Sequence, residues 1–168
     1  MTYDPEQDRA LWRMSTADNE HIHCHVTRRY TLLLWQVLRE FFQRRTARDA
    51  QLLQKGEAVE QLVGMEHQAY VQKNDFSKPY EEEGDARFPL GREPALLNKI
   101  QARETEDGMQ LTLTSTTGKN IKLRLNTELM HGLTKLLRDI SAKAEWGLDL
   151  KLGYETEKIS IEADRFVQ

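Results

Sequence analysis

One stretch constrains this chain more than any other. Glu20 to Phe42, EHIHCHVTRRYTLLLWQVLREFF, reads as a strand running into an amphipathic helix. The pattern returns 99 residues later as Lys119 to Ser141, KNIKLRLNTELMHGLTKLLRDIS. Aligned without a gap, Ala10, Trp12 and Met14 fall on Met109, Leu111 and Leu113, and Ile22, Cys24 and Val26 fall on Ile121, Leu123 and Leu125. Both sets alternate with polar residues, the period-two pattern of a half-buried strand. Asn19 falls on Gly118, two residue types that tolerate the left-handed backbone closing a three-residue hairpin loop. Such loops pair Met14 with Ile22 and Leu113 with Ile121, so every apolar side chain shares one face.

The helices match as well. Thr27 aligns with Asn126, both side chains that can cap a free helix-start amide. Tyr30, Leu34, Val37, Leu38 and Phe41 align with Leu129, Leu133, Leu136, Leu137 and Ile140, and each set forms one apolar stripe. A lone hairpin is too small to be stable. The expectation is therefore one α+β domain over 1–168 in a pseudo-twofold arrangement, built from two strand–strand–helix repeats, 10–46 and 98–146. Antiparallel strands of both copies pair or lie side by side, with the two amphipathic helices on one shared apolar face.

The connecting segments read differently. Residues 47–73 keep a helical pattern broken at Gly56, which predicts a helical insert folding back as a second helix. Residues 74–95 hold Pro79, Pro89, Pro94, Gly84 and Gly91 and read as a long loop, with Phe76, Tyr80 and Phe88 to pin it down. Residues 96–104 read as a strand with Ile100 and Ala102 on the core face; Met1 and Tyr3 align with that pair and suggest a short extra strand before the first hairpin. The tail, 147–168, has strand character at Ile159 and Ile161, which suits an edge strand or a segment that orders on a partner.

Composition narrows the classes. Hydrophobic residues make up 39% and charged residues 30%, a polar globular profile. No apolar run approaches the roughly 20 residues of a membrane span, and the first residues lack the apolar core of a secretion signal. The single cysteine, Cys24, excludes an internal disulfide and fits a reducing, cytoplasmic setting. It occupies a strand core position, where a cysteine acts as a small hydrophobe. The net charge of −3 argues against a strongly basic nucleic-acid binder, but residues 21–55 carry seven basic against two acidic side chains.

Candidate chemistry is sparse. No acid/base pair, nucleophilic triad or phosphate loop is present, so an enzyme is not expected, nor a cofactor. His21, His23 and His25 alternate on one strand face. A metal would need a third ligand from elsewhere, with His67 or His131 as the only other histidines, so no metal is expected. His23 and His25 align with Lys122 and Arg124, which marks this as the polar face and predicts surface histidines. That face, with Arg13, is a candidate cationic surface for nucleic acid, though it lacks aromatic side chains on which bases stack. Repeated antiparallel strands followed by a helix are similar in fold to Whirly, coactivator-type and Pur-repeat single-strand binders. Arg44, Arg45 and Arg48 suit either the helix C-terminus or a partner surface. His131 and Gly132 replace Leu32 and Leu33 mid-helix, where the glycine suits a close helix pair or a dimer seam.

The second unit, IKLRLNTELMHGLTKLLRDISAKAEWGL, resembles the strand–cap–helix ending of small bacterial proteins of the BssS-like and YjeJ-like kind, over residues 98–148. The first family is associated with biofilm regulation and the second is largely uncharacterised; the resemblance implies no catalytic residues. Together these readings predict a non-enzymatic bacterial regulatory or interaction protein acting through contacts with another protein or with itself as a homodimer. The alternative is a nucleic-acid-binding module using the polar sheet face. The expected contacts are His23, His25, Lys122, Arg124, Arg44, Arg45 and Arg48.

Overall fold

The computed structural model describes residues 1–16, 18–49, 56–75, 80–81 and 85–152. The expectations for Phe76 and for Ile159 and Ile161 lie outside the described residues.

Six strands form one sheet: β1 (Thr2–Asp4), β2 (Arg9–Ser15), β3 (His21–Thr27), β4 (Ala95–Thr105), β5 (Gly108–Ser115) and β6 (Asn120–Asn126), in that spatial order. Three helices accompany them: α1 (Arg28–Asp49), α2 (Glu57–Lys73) and α3 (Thr127–Lys143). The order β-β-β-α thus occurs twice, with α2 inserted between.

Local sequence accounts for both hairpins. β2 and β3 pair antiparallel with Met14 opposite Ile22, and β5 and β6 with Leu113 opposite Ile121. Asn19 (φ 55°) and Gly118 (φ 83°) take the left-handed conformation that closes each loop. The Thr27 hydroxyl accepts the Tyr30 amide at 3.2 Å and the Asn126 side chain accepts the Leu129 amide at 2.8 Å, so both helices start on the expected caps. Gly108 is needed for a different reason. It lies against β6, and a Cβ there would sit 2.1 Å from the Leu125 carbonyl oxygen.

The two hairpins meet through β3 and β4, and here the expectation of antiparallel pairing is corrected. Cys24 and His25 pair with Ala95 and Leu96 in parallel. Parallel neighbours need a long crossover, and α1 with α2 supplies it. The halves therefore follow one another along the sheet, the last strand of one beside the first strand of the next.

One hydrophobic cluster joins both halves. It includes Trp12, Ile22 and Val26 from the first hairpin and Leu111, Leu113 and Ile121 from the second. α1 contributes Tyr30, Leu34, Leu38, Phe41 and Phe42; α3 contributes Met130, Leu133, Leu137 and Ile140. The second helix begins at Glu57 beyond Gly56, and Glu60 on its first turn takes hydrogen bonds from Arg39 and Gln43 of α1. Val59 and Val63 add to the core.

Three details depart from the sequence reading. Ala102 is exposed, because β4 runs on past the end of β3. Leu129, counted in the apolar stripe of α3, is 54% exposed. The beginning of the tail is part of the core: Leu150 and Leu152 are buried, as is Trp146 just before the tail, whose indole N–H donates to Asp8 Oδ1 at 2.7 Å.

Candidate interaction surfaces

Three regions bring polar side chains together with aromatic or apolar ones. The first is the outer face of β2 and β3. The core side of β3 holds Ile22, Cys24 and Val26. Burial pushes the Cys24 thiol up to about 12, so the group is an inert hydrophobe. The opposite side carries His21, His23 and His25. These were expected on the surface, but His21 is only 2% exposed. The cause is the 74–95 loop. Arg87 runs beside the start of β3, its carbonyl accepting the His21 amide at 2.7 Å and its amide donating to the Asn19 carbonyl at 3.0 Å. That limb lays Tyr80 and Phe88 over the histidines, with ring centroids 5.4–5.9 Å from those of His21 and His23.

The hydrogen bonds there order the tautomers. His23 Nδ1 donates to the Arg92 carbonyl at 3.3 Å, which leaves Nε2 to accept from the Tyr80 hydroxyl at 3.3 Å. Having given its proton to His23, the hydroxyl accepts from Nδ1 of His21. Arg13 lies 5.6 Å from the Tyr80 ring centroid and Arg92 4.5 Å from that of Phe88, cation–π distances. His25 is half-buried and its Nδ1 has no hydrogen-bond partner among the described residues. Desolvation, with the nearby Arg9 charge, lowers its pKa. The aromatic rings missing from the strands themselves are thus brought in by the loop.

The other predicted contact residues are dispersed. Lys122 and Arg124 are exposed on β6, separated in the sheet from His23 and His25 by β4 and β5. Arg44 pairs with Glu40 along its own helix. Arg45 pairs with Asp49 at 3.5 Å and donates to the Thr127 hydroxyl, tying α1 to the start of α3. Arg48 reaches Glu104 of β4 at 2.7 Å. These three arginines have internal partners, although exposed pairs of this kind contribute little to stability.

The second region was not foreseen. A groove of about 960 Å³ runs between β2 and β6, with α3 along its side. Trp12, Met14 and Ser15 line one wall and Lys122, Leu123 and Arg124 the other; Leu129, Gly132, Leu133 and Leu136 of α3 supply the apolar surface. Gly132 therefore faces the groove. Asp18, Glu20 and Glu128 add acidic groups around it. Two strand edges border this space. β1 pairs with β2 only at Arg9, Ala10 and Leu11, so Trp12 to Ser15 has no ladder partner on that side among the described residues. Among the described residues β6 pairs with β5 alone. No local pattern announces such a groove, since it depends on where two distant edges end. Its one legible trace is Leu129, an apolar stripe position left in the open.

The third region is buried. His67 of α2 and His131 of α3 meet with their Nδ1 atoms 3.2 Å apart, so one donates and the other accepts. The His131 ring stacks on Phe42 and Tyr70 at centroid distances of 4.3 and 4.5 Å. Burial, with the neighbouring His131, Arg138 and Lys135, holds His67 down at about 4. Glu66 lies 3.8 Å from His131 Nε2, and this imidazole keeps the carboxyl below its usual range. Among the described residues no group of three or more His, Cys, Asp or Glu side chains is placed to hold a metal ion.

Comparison with protein-family models, curated proteins and solved structures finds no match to this chain. No helix among the described residues is long and apolar enough to cross a membrane.

Proposed function

We propose that this chain is a non-enzymatic interaction protein that binds an extended segment of a protein partner in the groove between β2 and β6. The observation that carries the reading is the pair of unpartnered strand edges flanking the apolar surface of α3. Exposed edges present a row of free amides and carbonyls, a template for another strand. A strand added there gains affinity from main-chain hydrogen bonds and specificity from alternate side chains. Apolar residues of the partner would pack on Leu129, Leu133 and Leu136, and acidic residues between them would lie near Lys122 and Arg124. On this reading the two β-β-β-α halves are copies of one strand–strand–helix unit. The resemblance of residues 98–148 to small bacterial proteins accords with a regulatory role in a bacterial cytoplasm.

Selection from a random peptide library tests the proposal. It expects enriched peptides that alternate apolar with acidic residues and lose binding on Leu129→Asp. Failure to enrich any peptide, or binding indifferent to that substitution, would count against it.

A second reading places nucleic acid on the outer sheet face. It is favoured by the Tyr80 and Phe88 rings beside His23, with Arg13 and Arg92 against them. Aromatic rings among cations suit single-stranded bases. It expects a single-stranded DNA complex that weakens steeply with salt and is lost on Tyr80→Ala or on joint substitution of Lys122 and Arg124. A complex unmoved by these changes would dismiss it.

A further inference from the structure

We infer that the groove takes one extended segment hydrogen-bonded to β2 and β6 at the same time, which closes the curled sheet into a barrel. The partner is then an unfolded linear segment that alternates apolar with acidic residues, and not the edge of a folded protein. The inference rests on reading the groove as a strand slot, and it adds the class of partner that can enter.

The two walls come from opposite sides of the sheet. β3, β4 and β5 stand between β2 and β6, yet both border one groove. The sheet therefore curls until its ends face each other. The helix α3 spans these ends. It follows β6 directly and also touches β1. Just beyond it, Trp146 meets the Tyr3 ring at a centroid distance of 6.0 Å and bonds to Asp8.

The space left matches one strand. Lys122 to Asn126 line the β6 wall, a run of about 16 Å at the rise of a strand. A sheet layer is about 10 Å deep and its strands lie about 4.8 Å apart. At that length and depth a groove of about 960 Å³ is about 6 Å wide. One strand fits and two do not. A strand there has an open ladder on each side, Trp12 to Ser15 on one and β6 on the other. The edge strand of a folded sheet already has a neighbour along one side. It could bond to one wall only, and its own sheet would collide with the other. A segment bare on both sides meets neither obstacle.

Alternation sets the chemistry. Side chains of the segment that point inward meet Leu129, Leu133 and Leu136. Those that point outward lie between Arg13 of β2 and Lys122 and Arg124 of β6, all three exposed on the outer face. Cations thus flank that row from both sides, which favours carboxylates at cross-strand distance. The acidic lining residues lie elsewhere. Asp18 and Glu20 are beyond the end of β2, Asp75 is beyond α2, and Glu128 is on the first turn of α3. They border the ends of the slot, where a basic residue suits them.

The probe is the end-capped synthetic peptide KVEVEVK, with valines for α3 and glutamates for the cations. Each internal amide is replaced in turn by an ester, which removes one N–H without adding bulk. Every replacement should weaken binding about tenfold, because successive amides bond to opposite walls. In residue-resolved hydrogen exchange the peptide should slow alternate amides within both Trp12–Ser15 and Lys122–Asn126. Joint Lys122→Glu and Arg124→Glu should weaken KVEVEVK about tenfold or more and turn the preference towards KVKVKVK. Losses at alternate esters only, or slowing along one wall only, would mean pairing with a single edge; the slot would stand and the inference would fall. It would also fall if the unsubstituted protein bound KVKVKVK as well as KVEVEVK, or took library-selected peptides at these walls but not KVEVEVK. Protection of the walls that rises with protein concentration without peptide would make a second copy the occupant and overturn it. If neither KVEVEVK nor any library-selected peptide slows exchange at either wall, the slot reading itself is wrong.

Discussion

The two β-β-β-α halves use the same parts to different ends. In the second half β4 runs for 11 residues and covers the full length of β5; in the first, β1 runs for 3 and covers less than half of β2. The hairpins, loop conformations and helix caps agree position by position. Within the sheet the difference lies in the outer strand, and it decides which edges of the sheet are closed. One half is sealed by its neighbour through β3 and β4, while β6 and the lower part of β2 are left facing a groove. In this protein a shared local pattern sets the core, and strand length sets the surface available for recognition.

Paired substitutions sharpen that comparison. Leu34 and Leu133 occupy matching positions on α1 and α3 and are both buried. Each Leu→Ala change should cost about 2–5 kcal/mol, measured by urea denaturation. Because one core joins the halves, each should shift a single unfolding transition. Two separable transitions would break the comparison.

Gly108 and Arg9 also correspond, but only the glycine lies against a carbonyl of a neighbouring strand. Gly108→Ala should cost about 1–3 kcal/mol, a typical overpacking penalty, whereas Arg9→Ala should leave the denaturation midpoint nearly unchanged. Equal effects would show that the outer strands constrain both halves alike.

The helices differ in what covers them. His131 is buried beneath α2, whereas its counterpart Leu32 is exposed. His67 is held neutral, near 4 against an ordinary 6.5, so the unfolded chain binds the extra proton in that interval. The stability this group lends is present above pH 6.5 and is lost as the pH falls towards 4, at up to about 1.4 kcal/mol per pH unit. His67→Phe should flatten this part of the stability profile. A slope unchanged by the substitution would remove His67 from the account.

The smallest effect concerns the caps. Thr27→Ala and Asn126→Ala should each cost about 0.5–2 kcal/mol, and the two values should agree to within their errors. A clear inequality would mean that the helix starts are less alike than their geometry.

Much of this was legible in the sequence because it is local. Alternation placed Ile22, Cys24 and Val26 inward, the loop residues Asn19 and Gly118 set the registers, and Thr27 and Asn126 announced the helices. Alternation could not say what a distant segment lays on the other face. His21 was therefore assigned to solvent and is buried under Tyr80 and Phe88. The parallel β3–β4 contact escaped because a strand's pattern does not encode the direction of its neighbour. Arg45 and Arg48 find Thr127 and Glu104 across the fold, partners no spacing rule reveals. The groove was hidden because it results from a strand that stops early. Leu129 looked like any other stripe residue until its surroundings were known.

The central claim is that two similar halves, neither able to fold alone, close over one interior and leave an edge for recognition. The most direct measurement is to produce residues 1–94 and 95–168 as separate chains and follow thermal unfolding of each and of their mixture. The account predicts no cooperative transition from either fragment and a single transition from a one-to-one complex. A fragment that unfolds cooperatively on its own would contradict it.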